Sequence, residues 1–168
     1  MRAAFPSARL SNLYGLSETS GASVISHPDD SPDLVDTTIG TSIGDVQARI
    51  VDDSGDLVPP GAEGELQLRG TCVADGYWDM PAETRSTFLP DGWLATGDMG
   101  TMTRDGHITI RGRKKEMYVR GGYNVYPAEV ENVLFGIAVG AWGGSAGDHL
   151  GQELVHVHAA SPIPDLWP

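Results

Sequence analysis

A chain of 168 residues with 40% hydrophobic and 20% charged side chains can bury a core, and its composition is neither that of a disordered segment nor that of a membrane-embedded one. Its net charge of −12 and pI near 4.6 argue against general nucleic-acid binding, and no apolar run approaches transmembrane length. The one cysteine, Cys72, rules out an internal disulfide, fits a reducing cytosol and reads as a small packed residue.

In chain order, Met1 to Pro6 have one basic residue and no apolar stretch behind it, unlike a signal peptide. Residues 1–35 read as irregular, with Ser26 to Pro32 (SHPDDSP) as a turn cluster. Residues 36–110 read as β structure. Val46 to Val51 largely alternate, and in Glu65 to Arg69 the alternation places Leu66 and Leu68 on one face. Asp53-Ser54-Gly55 and Pro59-Pro60-Gly61 are turn signals. Asp105-Gly106, between Thr101-Met102-Thr103 and His107 to Ile110, predicts a hairpin because Asp-Gly accepts the positive φ of a tight turn. Proline opens a short predicted helix over Pro81 to Phe88. It opens a second over Pro127 to Leu134, with Val130, Val133 and Leu134 as an apolar face. Leu154 to Ala159 alternate as a strand, and Ser161 to Pro168 show no period. A boundary at residues 111–116 separates a β-rich unit from a small α/β piece.

Four groups of residues can do chemistry. In Tyr14-Gly15-Leu16-Ser17-Glu18, a ring suits a purine face, a glycine permits close backbone approach, a hydroxyl reaches a phosphate and a carboxylate suits Mg²⁺. In Thr96-Gly97-Asp98, a carboxylate in a glycine-flexed turn can accept from vicinal ribose hydroxyls. Arg113 offers a fork of donors to ribose or phosphate oxygens. Gly121-Gly122 precedes the Pro127 helix and reads as mobile or closely approached backbone. Taken singly, each group also reads as an ordinary turn or a rim charge. Five of the eleven Lys and Arg residues fall between Arg111 and Arg120, a local inversion of charge that points to an anionic ligand or a functional loop. The histidines His27, His107, His149, His156 and His158 lack zinc-ligand spacing.

Together and in order, YGLSE, GELQLRG, GYW, DGWLATGD, GRKKEMYVRGGYNVYPAEVE and LGQELVHVHA resemble the blocks of the adenylate-forming superfamily, from about Phe5 to about Ala159. That family includes acyl-CoA synthetases and the adenylation domains of peptide synthetases. The resemblance implies a mixed α/β fold with a β-rich distorted-barrel subdomain, a hinge and a small α+β C-terminal domain. Residues 1–110 would be the last part of the large AMP-binding domain, 111–116 the hinge, and 117–168 a truncated C-terminal domain. By the same resemblance Tyr14 would stack on adenine, Gly15 would belong to the same nucleotide-binding group, Ser17 would touch the phosphate of ATP or acyl-AMP, Glu18 would hold Mg²⁺, and Asp98 and Arg113 the ribose. Lys115 would be the hinge residue, and Gly122 would lie on the loop that serves CoA transfer. Ser17 stands where threonine is more usual and keeps the hydroxyl.

ATP, Mg²⁺ and CoA are the implied cofactor and co-substrates, and a carboxylic acid, fatty or related, is the implied substrate, in a cytoplasmic protein. The family's glycine-rich phosphate loop has no counterpart in residues 1–13. The family's C-terminal catalytic lysine has none either, since Lys114 and Lys115 are the only lysines. The expectation is therefore an internal piece of an acid–CoA ligase, inactive alone. A non-catalytic nucleotide- or partner-binding remnant and a peptide-synthetase adenylation fragment are the alternatives.

Overall fold

The first elements of this computed structural model, which describes residues 8–134 apart from Gly122, Glu129 and Asn132, form a hairpin. Strand β1 (Leu13–Leu16) turns through a 3-10 segment (Ser17–Thr19) into β2 (Gly21–Ile25). Ser20 takes the left-handed conformation at φ 57° to close the turn. Across the hairpin, a side chain at Gly15 would place its Cβ 1.9 Å from the carbonyl oxygen of Gly21, so only glycine fits. The expected irregularity of residues 1–35 is thus overturned for 13–25. The strands are short and bulged between Tyr14 and Gly15, which hides their alternation.

Helix α1 (Pro32–Thr37) also lies partly in that stretch. Ser31 caps it by accepting the Leu34 amide at 3.3 Å, and proline occupies the first turn. The SHPDDSP cluster is therefore the run-up to a helix. Strand β3 (Thr41–Ser42) completes a three-stranded sheet in the order β1-β2-β3.

A second, antiparallel sheet has the order β4-β5-β6-β7, formed by β4 (Gln47–Val51), β5 (Glu63–Arg69), β6 (Leu94–Met102) and β7 (Ile108–Arg113). Asp105-Gly106 forms the β6–β7 turn, with Gly106 at φ 86°. The two sheets are linked through a bridge between Gly40 and Ile108. They form no closed barrel among the described residues, which corrects the barrel expectation: β4 and β1 remain edges. Val24, Val46, Ile50, Leu66, Leu68 and Ile108 form the core, and Tyr14 and Cys72 pack against it. Leu66 and Leu68 are both fully buried, but Gln67 between them is buried too, at 5% exposure. Arg49 Nε donates to its Oε1 at 2.9 Å, and Trp93 lies beneath both Arg49 and Arg69, so this face of β5 is covered rather than solvated.

Helix α2 (Pro81–Thr87) follows the expected span to within a residue. After β7, a 3-10 turn (Lys114–Glu116) leads to the hairpin β8 (Tyr118–Arg120) and β9 (Tyr123–Val125). Helical backbone then appears at Pro127, Ala128, Val130, Glu131, Val133 and Leu134, and the last three apolar side chains are exposed. Arg9–Glu129 form one compact unit, and Ala8 and the described residues from Val130 belong to another. The expected strand at 154–159 and the tail at 161–168 lie outside the described residues.

Candidate functional site

The β5–β6 ladder is broken where the site lies. Gln67 pairs with Ala95 and Glu65 with Met99, so Thr96, Gly97 and Asp98 together oppose Leu66 alone. Gly97 takes φ 73°, a left-handed turn that suits glycine, and the extra residues leave the ladder as a bulge. The bulge is tied down from within. Thr96 Oγ1 donates to the Leu66 carbonyl at 2.7 Å and accepts the Asp98 amide at 3.1 Å, while the Gly97 amide donates to Glu65 Oε1 at 3.1 Å.

Asp98 is 5% exposed and gathers two partners. Tyr14 Oη donates to its Oδ2 at 2.5 Å from a position 84 residues away. Arg113, its cross-strand partner on β7, meets Oδ1 through Nε at 2.8 Å. Burial pushes the Asp98 carboxyl above its ordinary value, against the opposing pull of the Tyr14 hydroxyl and the Arg113 guanidinium. Burial, and then the neighbouring Asp98 charge, raises Tyr14 far above the usual phenol value, so Tyr14 is a fixed donor at neutral pH. These two contacts use two of the roughly four acceptor positions of a carboxylate.

Beside this cluster opens a cleft of ≈ 320 Å³ whose lining includes Glu18, Tyr77, Thr96, Gly97 and Arg113. Asp98 is not part of that lining, and Arg113, its ion-pair partner, is. The Arg113 side chain is half exposed (45%). Also in that lining, Tyr77 Oη donates to Glu18 Oε1 at 2.5 Å.

The sequence candidates thus separate. Tyr14, Asp98 and Arg113 are joined by hydrogen bonds and an ion pair, and Glu18 faces the same cleft as Arg113. Ser17 and Gly15 are exposed on the hairpin beside them, and Gly15 has a hairpin-packing reason to be glycine. Lys115 is exposed in the 3-10 turn, while its neighbour Lys114 is held by Asp53 at 3.0 Å and Glu65 at 3.3 Å. Gly122 lies outside the described residues. Sequence reasoning missed Tyr77, Glu65 and Tyr126. Tyr126 is 1% exposed, donates to Glu63 Oε1 at 2.7 Å, and packs where a Gly112 side chain would stand, 2.7 Å from a Cβ built there. The GYW block held the one available signal for Tyr77, an aromatic beside a glycine just ahead of a helix.

A buried carboxylate paired with arginine beside a cleft that Glu18 also lines is an arrangement suited to a nucleotide and its counter-ion. A family model described as AMP-binding enzyme matches residues 1–78. The chain is 43% identical over 121 residues to the 3-[(3aS,4S,7aS)-7a-methyl-1,5-dioxo-octahydro-1H-inden-4-yl]propanoyl:CoA ligase of Mycobacterium tuberculosis, covering 72% of this chain and 22% of that protein. It is 38% identical over 122 residues to the mitochondrial medium-chain acyl-CoA ligase of Danio rerio, covering 72% of this chain and 20% of that protein. Among solved structures, O-succinylbenzoate coenzyme A synthetase from Bacillus subtilis in complex with ATP and magnesium ion superposes with a TM-score of 0.69 at 31% identity, over 74% of this chain and 26% of that one.

The chain belongs to the adenylate-forming superfamily of AMP-binding enzymes, and its named relatives there are acyl-CoA ligases. It spans about a fifth of the length of the curated relatives described above.

Proposed function

We propose that this chain supplies the nucleotide-positioning part of an ATP-dependent carboxylic acid–CoA ligase that works through an acyl-AMP intermediate. The observation that carries the reading is the meeting of Tyr14 and Arg113 on the buried Asp98, beside the cleft that Glu18 also lines. In this reading Asp98 and Arg113 hold the ribose, Tyr14 fixes the carboxylate and offers its ring to adenine, and Gly15 lets the base lie close to the backbone. The Ser17 hydroxyl reaches a phosphate oxygen.

The residues present fit Mg²⁺. Among the described residues no cluster of three His, Cys, Asp or Glu could cage an ion. Of the two carboxylates that line the cleft, Glu65 is engaged by the Gly97 amide and by Lys114, which leaves Glu18, and Mg²⁺ characteristically takes one or two carboxylates and completes its shell with water and substrate phosphates. When bound, the ion neutralises phosphate charge. The protein's own contribution is positioning and a preorganised polar wall, which lowers the barrier without rearrangement at the moment of reaction.

Residues 111–116 act as the hinge, with Lys115 free of the carboxylate contacts that hold Lys114, and Gly122 belongs to the loop that serves CoA transfer. The acid is fatty or related, as the medium-chain relative supports. Among the described residues no helix is long and apolar enough to cross a membrane. The one cysteine fits a cytoplasmic site.

Because Lys114 and Lys115 are the only lysines, and Lys114 is tied to two carboxylates, these 168 residues do not form acyl-AMP unaided. Calorimetric titration with AMP and with its 2′,3′-dideoxy analogue tests the nucleotide reading. Saturable AMP binding that weakens by about tenfold or more without the ribose hydroxyls supports it, by the usual worth of a charge-assisted hydrogen bond. Equal binding of both contradicts it.

A further inference from the structure

Tyr77 is held at three points that carry its hydroxyl to Glu18. Its backbone amide donates to Thr84 Oγ1 at 2.9 Å, at the middle of α2. Its ring meets Phe88 edge-on, with centroids 5.2 Å apart and planes at 72°. The preceding Gly76 takes φ 153°, and a Cβ there would lie 2.5 Å from Thr84 Cγ2, so the loop is seated directly on α2. The hydroxyl then reaches Glu18 Oε1 at 2.5 Å, across 59 residues of sequence.

Glu18 is fixed on the backbone side as well. Its carbonyl accepts the Ala74 amide at 2.8 Å, and Ser20 Oγ donates to the Cys72 carbonyl at 3.1 Å. The segment 72–77 is therefore laced to the 3-10 turn that holds Glu18. The other carboxylate oxygen of Glu18 has no hydrogen-bond donor among the described residues.

We propose that Tyr77 is a positioning residue for the metal-binding carboxylate: by holding Glu18 Oε1 it fixes the rotamer that turns the other oxygen to Mg²⁺ on the nucleotide. The inference rests on the reading of Glu18 as the Mg²⁺ ligand. A partner that orients a ligating carboxylate is commonly worth 10–100-fold in metal affinity. Tyr77→Phe keeps the ring on Phe88 and removes only the donor.

The test is calorimetric titration of ATP, with and without Mg²⁺, into the 168-residue chain and its Tyr77→Phe and Glu18→Gln variants. The expected result is that Mg²⁺ strengthens ATP binding to the unsubstituted chain, that Tyr77→Phe lowers this enhancement by about tenfold, and that its binding of metal-free ATP is unchanged. A Tyr77→Phe variant with the full Mg²⁺ enhancement, alongside a Glu18→Gln variant that has lost it, overturns the positioning role and leaves Glu18 as ligand. Equal weakening of ATP with and without Mg²⁺ by Tyr77→Phe also overturns it, in favour of a purely structural bond. Unchanged enhancement in Glu18→Gln, or no ATP binding by the unsubstituted chain, overturns the reading on which it rests.

Discussion

At the scale of single residues, the site depends on Asp98 keeping its charge while buried. A buried carboxylate without partners would protonate or destabilise the fold. Here one oxygen faces a neutral donor that stays protonated and the other a guanidinium that cannot lose its charge. Tyr14→Phe keeps the ring against the core but removes one of these donors. The expected loss is about 1–3 kcal/mol of stability, the cost of an unmatched buried polar group, read as a lower urea midpoint at unchanged slope. Tyr14 was legible in the sequence as a candidate because of its neighbours, but its partner was not. A contact spanning 84 residues leaves no local periodicity, so Tyr14 and Asp98 stood in separate motifs that only the family resemblance brought to one nucleotide, and their direct hydrogen bond was not foreseen.

At the scale of elements, the site is a product of irregularity in an otherwise regular sheet. The Asp105-Gly106 hairpin was readable because two residues carry the whole turn geometry. The β6 bulge was only half readable: Gly97 marked a flexed turn, but three residues opposing one depends on the register of β5. The β1–β2 hairpin was missed because strands of four and five residues, bulged and partly exposed, show no clean alternation. A further link was invisible from sequence. His107 Nε2 sits 3.0 Å from Asp30 Oδ1 and ties the loop before α1 to the start of β7. The His107 hydrogen bond, foremost, holds the Asp30 carboxyl below its ordinary value. A depressed carboxylate stabilises the fold above its unfolded pKa, ~3.9, and the contribution disappears as pH falls through the lower folded value. Asp30→Asn therefore flattens the loss of stability on acidification below about pH 4, measured as urea midpoint against pH. The variant keeps the part due to Asp45, which the Thr71 amide depresses in the same sense. An unchanged acid slope in Asp30→Asn would remove this link from the account.

At the scale of the whole molecule, fold and function separate. Sequence blocks in order identified the family, because six weak signals in one order are jointly specific. The sheet's open form was not legible, because whether a run of antiparallel strands closes depends on long-range pairing that composition does not record. Chemistry is set by what these residues contain. The groups proposed to hold the nucleotide are present, and the two lysines are adjacent, one held by Asp53 and Glu65. Incubating the chain with ATP, Mg²⁺, CoA and fatty acids of varied length is expected to yield no acyl-CoA by mass spectrometry. Turnover above a no-protein blank would show that positioning alone suffices.

The central claim is that Asp98 and the groups around it recognise an adenine nucleotide through its ribose, and one titration tests it most directly. AMP and 2′,3′-dideoxy-AMP are titrated into the chain and into Asp98→Ala, with circular dichroism confirming that the variant is folded. The account predicts that AMP binds the unsubstituted chain at least about tenfold more tightly than the dideoxy analogue. It also predicts that Asp98→Ala erases most of that difference. Undiminished discrimination in the variant would contradict it.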